Sequence, residues 1–186
     1  MKLDSAIKKR KSVRDFKTKK PDWRPIVEAI DSMRYCPKAG NNFCLKAILI
    51  SDEKKIERLA EASQQEFIKQ AKYVVVVCGD VERMKNLYEK RGEKYLKQQA
   101  GAAIENFLLT IEDKGLSTCW IGHFVDEQIK HALGIPEKME VEALFPIGYE
   151  KKKIGNNRSK EIDLSNFLYF DNYGKKKMNT PRKLDV

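Results

Sequence analysis

The sequence YVVVVCG, residues 73–79, contains the longest uninterrupted apolar run of the chain, from Tyr73 to Cys78. The run is rich in β-branched valines, and this composition predicts a strand that is buried on both faces. It is far too short to span a bilayer. We therefore expect a layered fold with this strand in its interior.

Apolar periodicity on either side of this strand predicts the remaining elements. Strands are predicted at 45–50, at 140–150 and, as a short strand, at 117–124. Helices are predicted at 2–11, 22–36, 51–71, 96–113 and 126–134, with Asp22 and Ser51 as N-caps and Gly115 directly after the long helix. This order predicts one α+β domain over residues 1–186, with a loose tail from about residue 174.

The charge of the chain is concentrated at its two ends. The net charge is +10, but residues 1–20 hold nine basic and two acidic residues and therefore carry +7. Residues 151–186 hold ten basic and four acidic residues and carry +6, so the middle of the chain carries −3. A duplex-binding domain usually spreads its cations over one folded face. Two basic ends indicate either two tails or two ends that meet at one anion. The net charge also leaves open the alternative that the protein binds nucleic acid or an acidic surface.

Common catalytic and metal-binding motifs do not occur in the sequence. It has no G-x-G-x-x-G, no G-x-x-x-x-G-K-[ST], no C-x-x-C and no H-E-x-x-H. The four cysteines are scattered, which favours reduced, buried thiols in a cytoplasmic protein, and we expect no metal site. Any redox chemistry is therefore expected to come from a cofactor.

Four segments, in order along the chain, resemble those of the nitroreductase family of FMN-dependent oxidoreductases. They are KRKSVRDF (9–16), CPKAGNN (36–42), GLSTCWIGHF (115–124) and FPIGYEKKKIGNNR (145–158). Each segment alone is a weak signal, but together they cover almost the whole chain. The fold that this resemblance implies is α+β, with a mixed, mainly antiparallel sheet flanked by helices.

The resemblance implies that the two basic ends meet at the phosphate of FMN. Arg10, Lys11 and Ser12 match the family's opening motif, and Arg10 can bind phosphate oxygens with two parallel hydrogen bonds. Arg158 matches the basic residue near the C-terminus of the family, with Lys160 as the alternative. The competing interpretation of the first group is a solvated helix end.

The resemblance also implies which residues contact the flavin ring. Arg14 matches a position near the pyrimidine edge, where a cation stabilises the reduced ring. Its alternative role is an ion pair with Asp15 or another acidic residue. The residues that match the loop along the ring are Pro37, Lys38, Ala39 and Asn41. Ile121 and Gly122 match the segment over the other side, with the Gly122 N–H directed at N5, and no side chain is expected to act as an obligatory acid or base.

Three features depart from the family pattern. After Asn41 the chain reads NFCLK where the family has Q-P-W, so the ring-side chemistry of that loop is left open. Lys38 replaces a small hydroxyl residue in the ring loop, so its role at the flavin is left open. Glu150 follows Tyr149 where the family has proline. The chain also looks short for the family, so its substrate preference is not carried over.

The implied function is that of a homodimeric FMN flavoprotein. NADH or NADPH gives a hydride to the flavin and leaves, and a nitroaromatic, quinone or similar acceptor then takes the electrons in the same pocket. The two flavin sites lie at the dimer interface, with the helix at 96–113 in that interface and an arm at 162–170 that adds a strand to the partner's sheet. We expect no nucleic-acid or membrane partner. The alternatives are a non-catalytic flavin-binding protein and a flavin-fragmenting or dehalogenating relative.

Overall fold

The computed structural model describes residues 2–151 and 162–178 of the chain. The chain divides into two units, residues 1–153 and residues 154–186. The predicted single domain over residues 1–186 stays a prediction, because residues 152–161, where the two units join, lie outside the described residues. The same holds for most of the predicted tail, since the description ends at Met178.

The first unit is built on an antiparallel sheet of four strands. They are β1 (Leu45–Ile50), β2 (Tyr73–Asp80), β3 (Ser117–Thr118) and β4 (Met139–Gly148). Their order across the sheet is β1-β2-β4-β3, and each neighbouring pair is antiparallel. A parallel bridge between Ser12 and Thr118 adds one parallel pairing at the β3 edge. The predicted mixed, mainly antiparallel sheet is therefore confirmed, with the apolar run of 73–79 in its interior.

Six helices surround the sheet in the described part of the chain. They are α1 (Leu3–Lys9), α2 (Arg24–Ser32), α3 (Glu53–Ser63), α4 (Val81–Tyr88), α5 (Gly92–Asp113) and α6 (Asp126–Leu133). No helix among the described residues is long and apolar enough to cross a membrane. The cytoplasmic location stays a prediction.

Several helices differ from the sequence prediction: α4 was not predicted as a separate helix, α5 begins at Gly92 rather than at residue 96, and the start or end of α2 and α3 is displaced. Trp23, not Asp22, is the N-cap of α2, and the Asp22 carboxylate accepts from the Arg24 N–H at 3.1 Å. Asp52, not Ser51, caps α3, because its carboxylate accepts from a backbone N–H in the first turn. The helix predicted at 51–71 stops at Gln64, whose backbone is left-handed with φ 53°, and a separate 3₁₀ turn, Glu66–Gln70, follows.

Helices cover both faces of the sheet, which explains why β2 is buried on both sides. Val75 and Val77 point toward the layer that contains α2 and α5, whereas Val74 and Val76 point toward the layer of α3 and α6. All four valines are completely buried. Burial of a valine side chain contributes roughly 1.5–3 kcal/mol, so this strand holds the two helical layers together.

A bulge between β2 and β4 places one charged side chain in the protein interior. The register passes from Val77 opposite Ala143 to Cys78 opposite Val141, so Glu142 has no partner in the ladder. The Glu142 side chain is only 7 % exposed, and the Lys97 Nζ lies 3.1 Å from its Oε1. Burial raises the pKa of Glu142 above its ordinary value, while Lys97 acts in the opposite direction.

We expect Lys97→Met to lower the free energy of unfolding by about 1–2 kcal/mol at neutral pH, because it leaves the Glu142 carboxylate without its cation. A folded state with a raised carboxyl pKa binds the proton more tightly than the unfolded state. The difference in free energy of unfolding between the wild type and Lys97→Met should therefore be small near pH 4 to 5. It should grow as the pH rises through the pKa of Glu142.

Urea unfolding of the wild type and the Lys97→Met variant at about pH 5 and about pH 8 measures this difference. Lys85→Met is the matched control, since Lys85 pairs with Glu93 at 3.6 Å and both side chains are 54 % exposed. The expectation would be contradicted if Lys97→Met and Lys85→Met lowered the free energy of unfolding equally, or if the effect of Lys97→Met did not depend on pH.

The second unit is described over residues 162–178. It contains a short 3₁₀ turn, Leu164–Asn166, which begins at Asp163, whose carboxylate accepts from a backbone N–H. The Tyr169 ring packs 4.7 Å from the Tyr173 ring, centroid to centroid, and the Lys176 Nζ lies 4.1 Å from the Tyr169 ring centroid. Residues 162–178 contain no strand, and the exchange of the 162–170 arm into a partner's sheet stays a prediction.

Candidate functional site

The basic segment at residues 10–17 lies along the β3 edge of the sheet. The Val13 N–H donates to the Thr118 carbonyl at 2.9 Å, and the Lys17 N–H donates to the Tyr149 carbonyl at 2.8 Å. The segment thus bridges β3 and the residues that follow β4. The first and third segments of the family resemblance are brought together at this edge.

A buried aromatic ring fixes the segment in this place. Phe16 is 3 % exposed, and its backbone N–H donates to the Gln70 Oε1 at 3.0 Å. A Cβ at Gly148 would lie only 2.9 Å from the Phe16 ring, so the close approach requires glycine at the end of β4. The position of the cations on this segment therefore depends on apolar packing on its inner side.

The predicted phosphate-binding residues lie next to one another at the turn from α1 into this edge. Arg10 is half-buried, and Lys11 and Ser12 are exposed. Ser12 is the parallel-bridge partner of Thr118, whose buried Oγ1 has no hydrogen-bond partner within residues 2–151 and 162–178. The edge thus offers a guanidinium, an ammonium and a serine hydroxyl, with a second, unpartnered hydroxyl in the neighbouring strand.

Two carboxylates lie among these cations, and sequence reasoning did not identify either of them as part of the site. The Lys11 Nζ lies 2.7 Å from the Glu150 Oε1. Glu112 on α5 has its pKa raised by burial, and the nearby charges of Lys9, Lys11 and Arg10 oppose that rise. Glu150 was recognisable in the sequence only as a departure from the family's proline, and no sequence signal marked Glu112.

Arg14 has a different environment from Lys11. Its side chain is exposed, and it forms no ion pair with a described residue. Asp15 was the alternative ion-pair partner of Arg14, but its Oδ1 lies 3.7 Å from the Lys151 Nζ instead. The Arg14 guanidinium therefore remains available to an anionic ligand.

Beyond β3 the predicted strand at 117–124 is reduced to one bridge at Ile121, and the Gly122 N–H that follows has no acceptor among the described residues. Ile121 exchanges two hydrogen bonds of 3.0 Å with Leu144, so its own N–H is used within the sheet. The next residue, Gly122, has left the ladder and is exposed. The nearest atom to a Cβ added at Gly122 is the Trp120 Nε1 at 3.8 Å, so the space around this glycine is open. This geometry suits the predicted role of the Gly122 N–H.

The loop at residues 36–42 is shaped by its own backbone. Gly40 and Asn41 have left-handed φ values of 51° and 59°, and a Cβ at Gly40 would overlap the Tyr88 hydroxyl. The Lys38 Nζ donates to the Arg34 carbonyl at 2.9 Å and is thus tied to the preceding turn. The other predicted ring contacts differ in exposure: Pro37 and Asn41 are exposed, and Ala39 is half-buried.

A buried glutamine on α5 anchors the end of this loop. The Gln99 Oε1 accepts from the Cys44 N–H at 2.9 Å, and its Nε2 donates to the Asn42 carbonyl at 2.8 Å. Sequence reasoning missed this residue. The signal that could have found it is the apolar stripe of α5, where an amide three residues after Leu96 predicts a buried polar contact.

The structure does not bring all of the predicted contacts together within one chain. Gln99 holds the 36–42 loop in the N-terminal half of α5, whereas Glu112 lies beside the cations of residues 9–11 at its C-terminal end. Thirteen helical residues separate these two positions, which corresponds to about 20 Å. Arg158 and Lys160 lie outside the described residues.

Thiol groups and metal ligands form no second cluster in the described structure. All four cysteines are buried and free, and burial raises the pKa of Cys78 to about 12. No group of three or more His, Cys, Asp or Glu residues in the described ranges could hold a metal ion. The arrangement at the β3 edge is therefore the strongest candidate for a functional site.

The fold and this edge define an α+β protein with helices on both faces of an antiparallel sheet and a basic segment along one side. The model of the nitroreductase family matches residues 7–69 and 60–149. The chain belongs to the nitroreductase family.

Individual relatives agree with this assignment. A solved nitroreductase family protein from Clostridium novyi is 27 % identical, with a TM-score of 0.75 over 95 % of this chain and 97 % of its own. A protein of Archaeoglobus fulgidus with the provisional name NADH dehydrogenase/NAD(P)H nitroreductase is 27 % identical over 76 % of this chain and 82 % of its own. An FMN-dependent nitroreductase from Clostridium difficile shares the fold, with a TM-score of 0.77 at 21 % identity over 90 % of this chain and 98 % of its own.

We expect Gln99→Leu to lower the free energy of unfolding by about 2 kcal/mol, because the Cys44 N–H and the Asn42 carbonyl lose their partner in the interior. Amide hydrogen exchange should accelerate at residues 42–44 before it accelerates elsewhere. Gln98→Leu is the matched control, since Gln98 is the exposed neighbour on the same helix. Equal effects of the two substitutions on stability and exchange would show that the anchor is unimportant.

Proposed function

We propose that this protein is an FMN-dependent oxidoreductase that accepts a hydride from NADH or NADPH and reduces a nitroaromatic, quinone or similar acceptor. The observation that carries the proposal is the attachment of the segment with Arg10, Lys11 and Ser12 to Thr118 at the sheet edge, from which the chain leads to the Gly122 N–H. Membership of the nitroreductase family and the name of the relative from Clostridium difficile support the choice of FMN. The name of the relative from Archaeoglobus fulgidus supports NAD(P)H as the electron donor.

The donor set of the edge suits a phosphate monoester. A guanidinium, an ammonium and a hydroxyl offer both charge and directed hydrogen bonds, and Arg10 can bind two phosphate oxygens at once. In the proposal these groups hold the FMN phosphate. Arg158, or Lys160 in its place, contributes a further cation from the C-terminal part of the chain.

The ring-side residues act by charge and by backbone hydrogen bonding. Bound FMN supplies the hydride-accepting N5 atom, so the chain needs no nucleophile and no obligatory acid or base. In the proposal the Gly122 N–H donates toward N5, Ile121 packs beside the ring, and Arg14 stabilises negative charge on the reduced ring. The role of the protein is to bind the cofactor, to orient it and to bias its charge.

We propose a homodimer with the flavin at the subunit interface. Gln99, which anchors the end of the 36–42 loop, and Glu112, beside the cations, lie about 20 Å apart along α5 in one chain. In the proposed dimer a second chain brings its loop to the edge of the first. The loop residues of this proposal are Pro37, Lys38, Ala39 and Asn41. Exposed apolar side chains on α1 and α2, among them Leu3 at 67 % and Val27 at 43 % exposure, support an interface that includes these helices.

The decisive experiment is to incubate the purified protein with FMN, remove unbound FMN and record the visible spectrum. The protein should be yellow, and anaerobic NADH or NADPH, tested in parallel, should bleach it. A nitroaromatic, a quinone and a halogenated phenol, added separately, then show which acceptor restores the colour.

Each result separates the proposal from an alternative. A protein that leaves the spectrum of added FMN unchanged contradicts the proposal. Tight binding without reduction by either nicotinamide indicates a non-catalytic flavin-binding protein. Salt-dependent binding to DNA in a protein that takes up no flavin indicates a nucleic-acid binder.

We expect Arg10→Ala to weaken FMN binding about 10- to 100-fold, because charge-assisted hydrogen bonds contribute roughly 1.5–3 kcal/mol. Fluorescence titration of FMN measures the dissociation constant. Lys8→Ala is the matched control, since Lys8 lies on the same helix but pairs with Asp4 at 3.0 Å on its exposed surface. An unchanged FMN affinity in Arg10→Ala would show that the segment has been assigned the wrong role.

A further inference from the structure

We propose that Glu150 restrains cofactor binding by competing with the FMN phosphate for Lys11, an inference that rests on the proposed function. The Lys11 Nζ lies 2.7 Å from the Glu150 Oε1, a short distance for an ion pair. The Glu150 side chain is 18 % exposed and that of Lys11 is 43 % exposed. The carboxylate is therefore the better shielded partner of the ion pair.

The backbone fixes Glu150 at the edge independently of this ion pair. Glu150 and Phe16 form an antiparallel bridge. The Lys17 N–H donates to the Tyr149 carbonyl at 2.8 Å, and the Lys151 N–H donates to the Asp15 carbonyl at 3.0 Å. Because the residues on both sides of Glu150 are held in this way, the carboxylate stays near the phosphate-binding residues even when Lys11 turns away from it.

Carboxylates cancel most of the local positive charge. The cations Lys9, Arg10 and Lys11 carry +3, and the ionised carboxylates Glu112 and Glu150 reduce this to +1. Burial raises the pKa of Glu112 above its ordinary value. Glu150 is the carboxylate in direct contact with Lys11, so a phosphate dianion that approaches Lys11 meets Glu150 as an opposing charge.

The competition predicts that removal of the Glu150 charge strengthens binding of the phosphate-bearing flavin. Glu150→Gln keeps the size of the side chain, frees Lys11 for the phosphate and removes the repulsion. We expect FMN to bind about three- to tenfold more tightly at low salt, with a smaller gain as salt increases. Riboflavin has the same ring without the phosphate, and its affinity should change less than about twofold, because the effect acts through the phosphate charge.

The experiment compares fluorescence titrations of FMN and of riboflavin with the wild type and two variants. The first variant is Glu150→Gln. The matched control is Glu53→Gln, which removes the same charge from an ion pair with Lys72 of 3.2 Å on α3, in the other helical layer. Glu53→Gln should bind both flavins as the wild type does.

A second comparison keeps the test valid if the unpaired Lys11 prevents Glu150→Gln from folding. Lys11→Met and Lys11→Met/Glu150→Gln differ only in the carboxylate, and the double variant leaves neither charge unpaired. The double variant should bind FMN more tightly than Lys11→Met, while riboflavin should not distinguish the two.

The outcomes separate this inference from the function on which it rests. The inference is overturned, and the proposed function left intact, if Glu150→Gln binds FMN equally or more weakly than the wild type. An equal gain in affinity for FMN and for riboflavin has the same consequence. Failure of every protein, including the wild type, to bind either flavin overturns both.

Discussion

The hydrogen bond from the Val13 N–H to the Thr118 carbonyl is the contact on which the candidate site depends. It attaches the segment after α1 to the edge of the sheet and brings the basic residues beside β3, from which the chain leads to Gly122. The buried Phe16 ring holds the same segment from its inner side against Gly148. Without this attachment the cations would belong to a solvated helix end, which was the competing interpretation of their sequence. The attachment gives them fixed positions relative to a backbone N–H, and fixed positions are what the recognition of an anionic cofactor requires.

The site is built from an apolar scaffold and a polar rim, and the two parts have different origins. The scaffold follows from β2, whose valines are buried between two helical layers and set the order of the strands. The rim follows from where strands and helices end: Arg10 after α1, Gly122 where the strand leaves the ladder, and Glu112 in the last turn of α5. Residues at the ends of helices and strands can reach solvent, so they can offer unpaired donors without the cost of burying them.

Sequence reasoning predicted the scaffold well and the rim only in part. The buried strand and the long helix α5 follow from local composition and spacing, and both are confirmed. Short-range alternatives were harder to separate, since Ser51 and Asp52 are both good N-caps and only the structure shows which oxygen accepts. The pairing of Lys11 with Glu150 could not be predicted, because the two residues are 139 positions apart and their meeting depends on the path of the whole sheet.

The Lys11–Glu150 ion pair also explains how several cations can lie side by side at this edge before any anion is bound. Like charges a few ångströms apart repel one another, and three cations at one edge would push the segment away from the sheet. Glu150 and Glu112 relieve that repulsion from two different places, the residues that follow β4 and the helix α5. Lys11 cannot pair fully with both a carboxylate and a phosphate. An ion pair that stabilises the edge when no anion is bound must therefore weaken the binding of an anion there. The stability of the edge and the affinity of the site are therefore coupled through a single side chain.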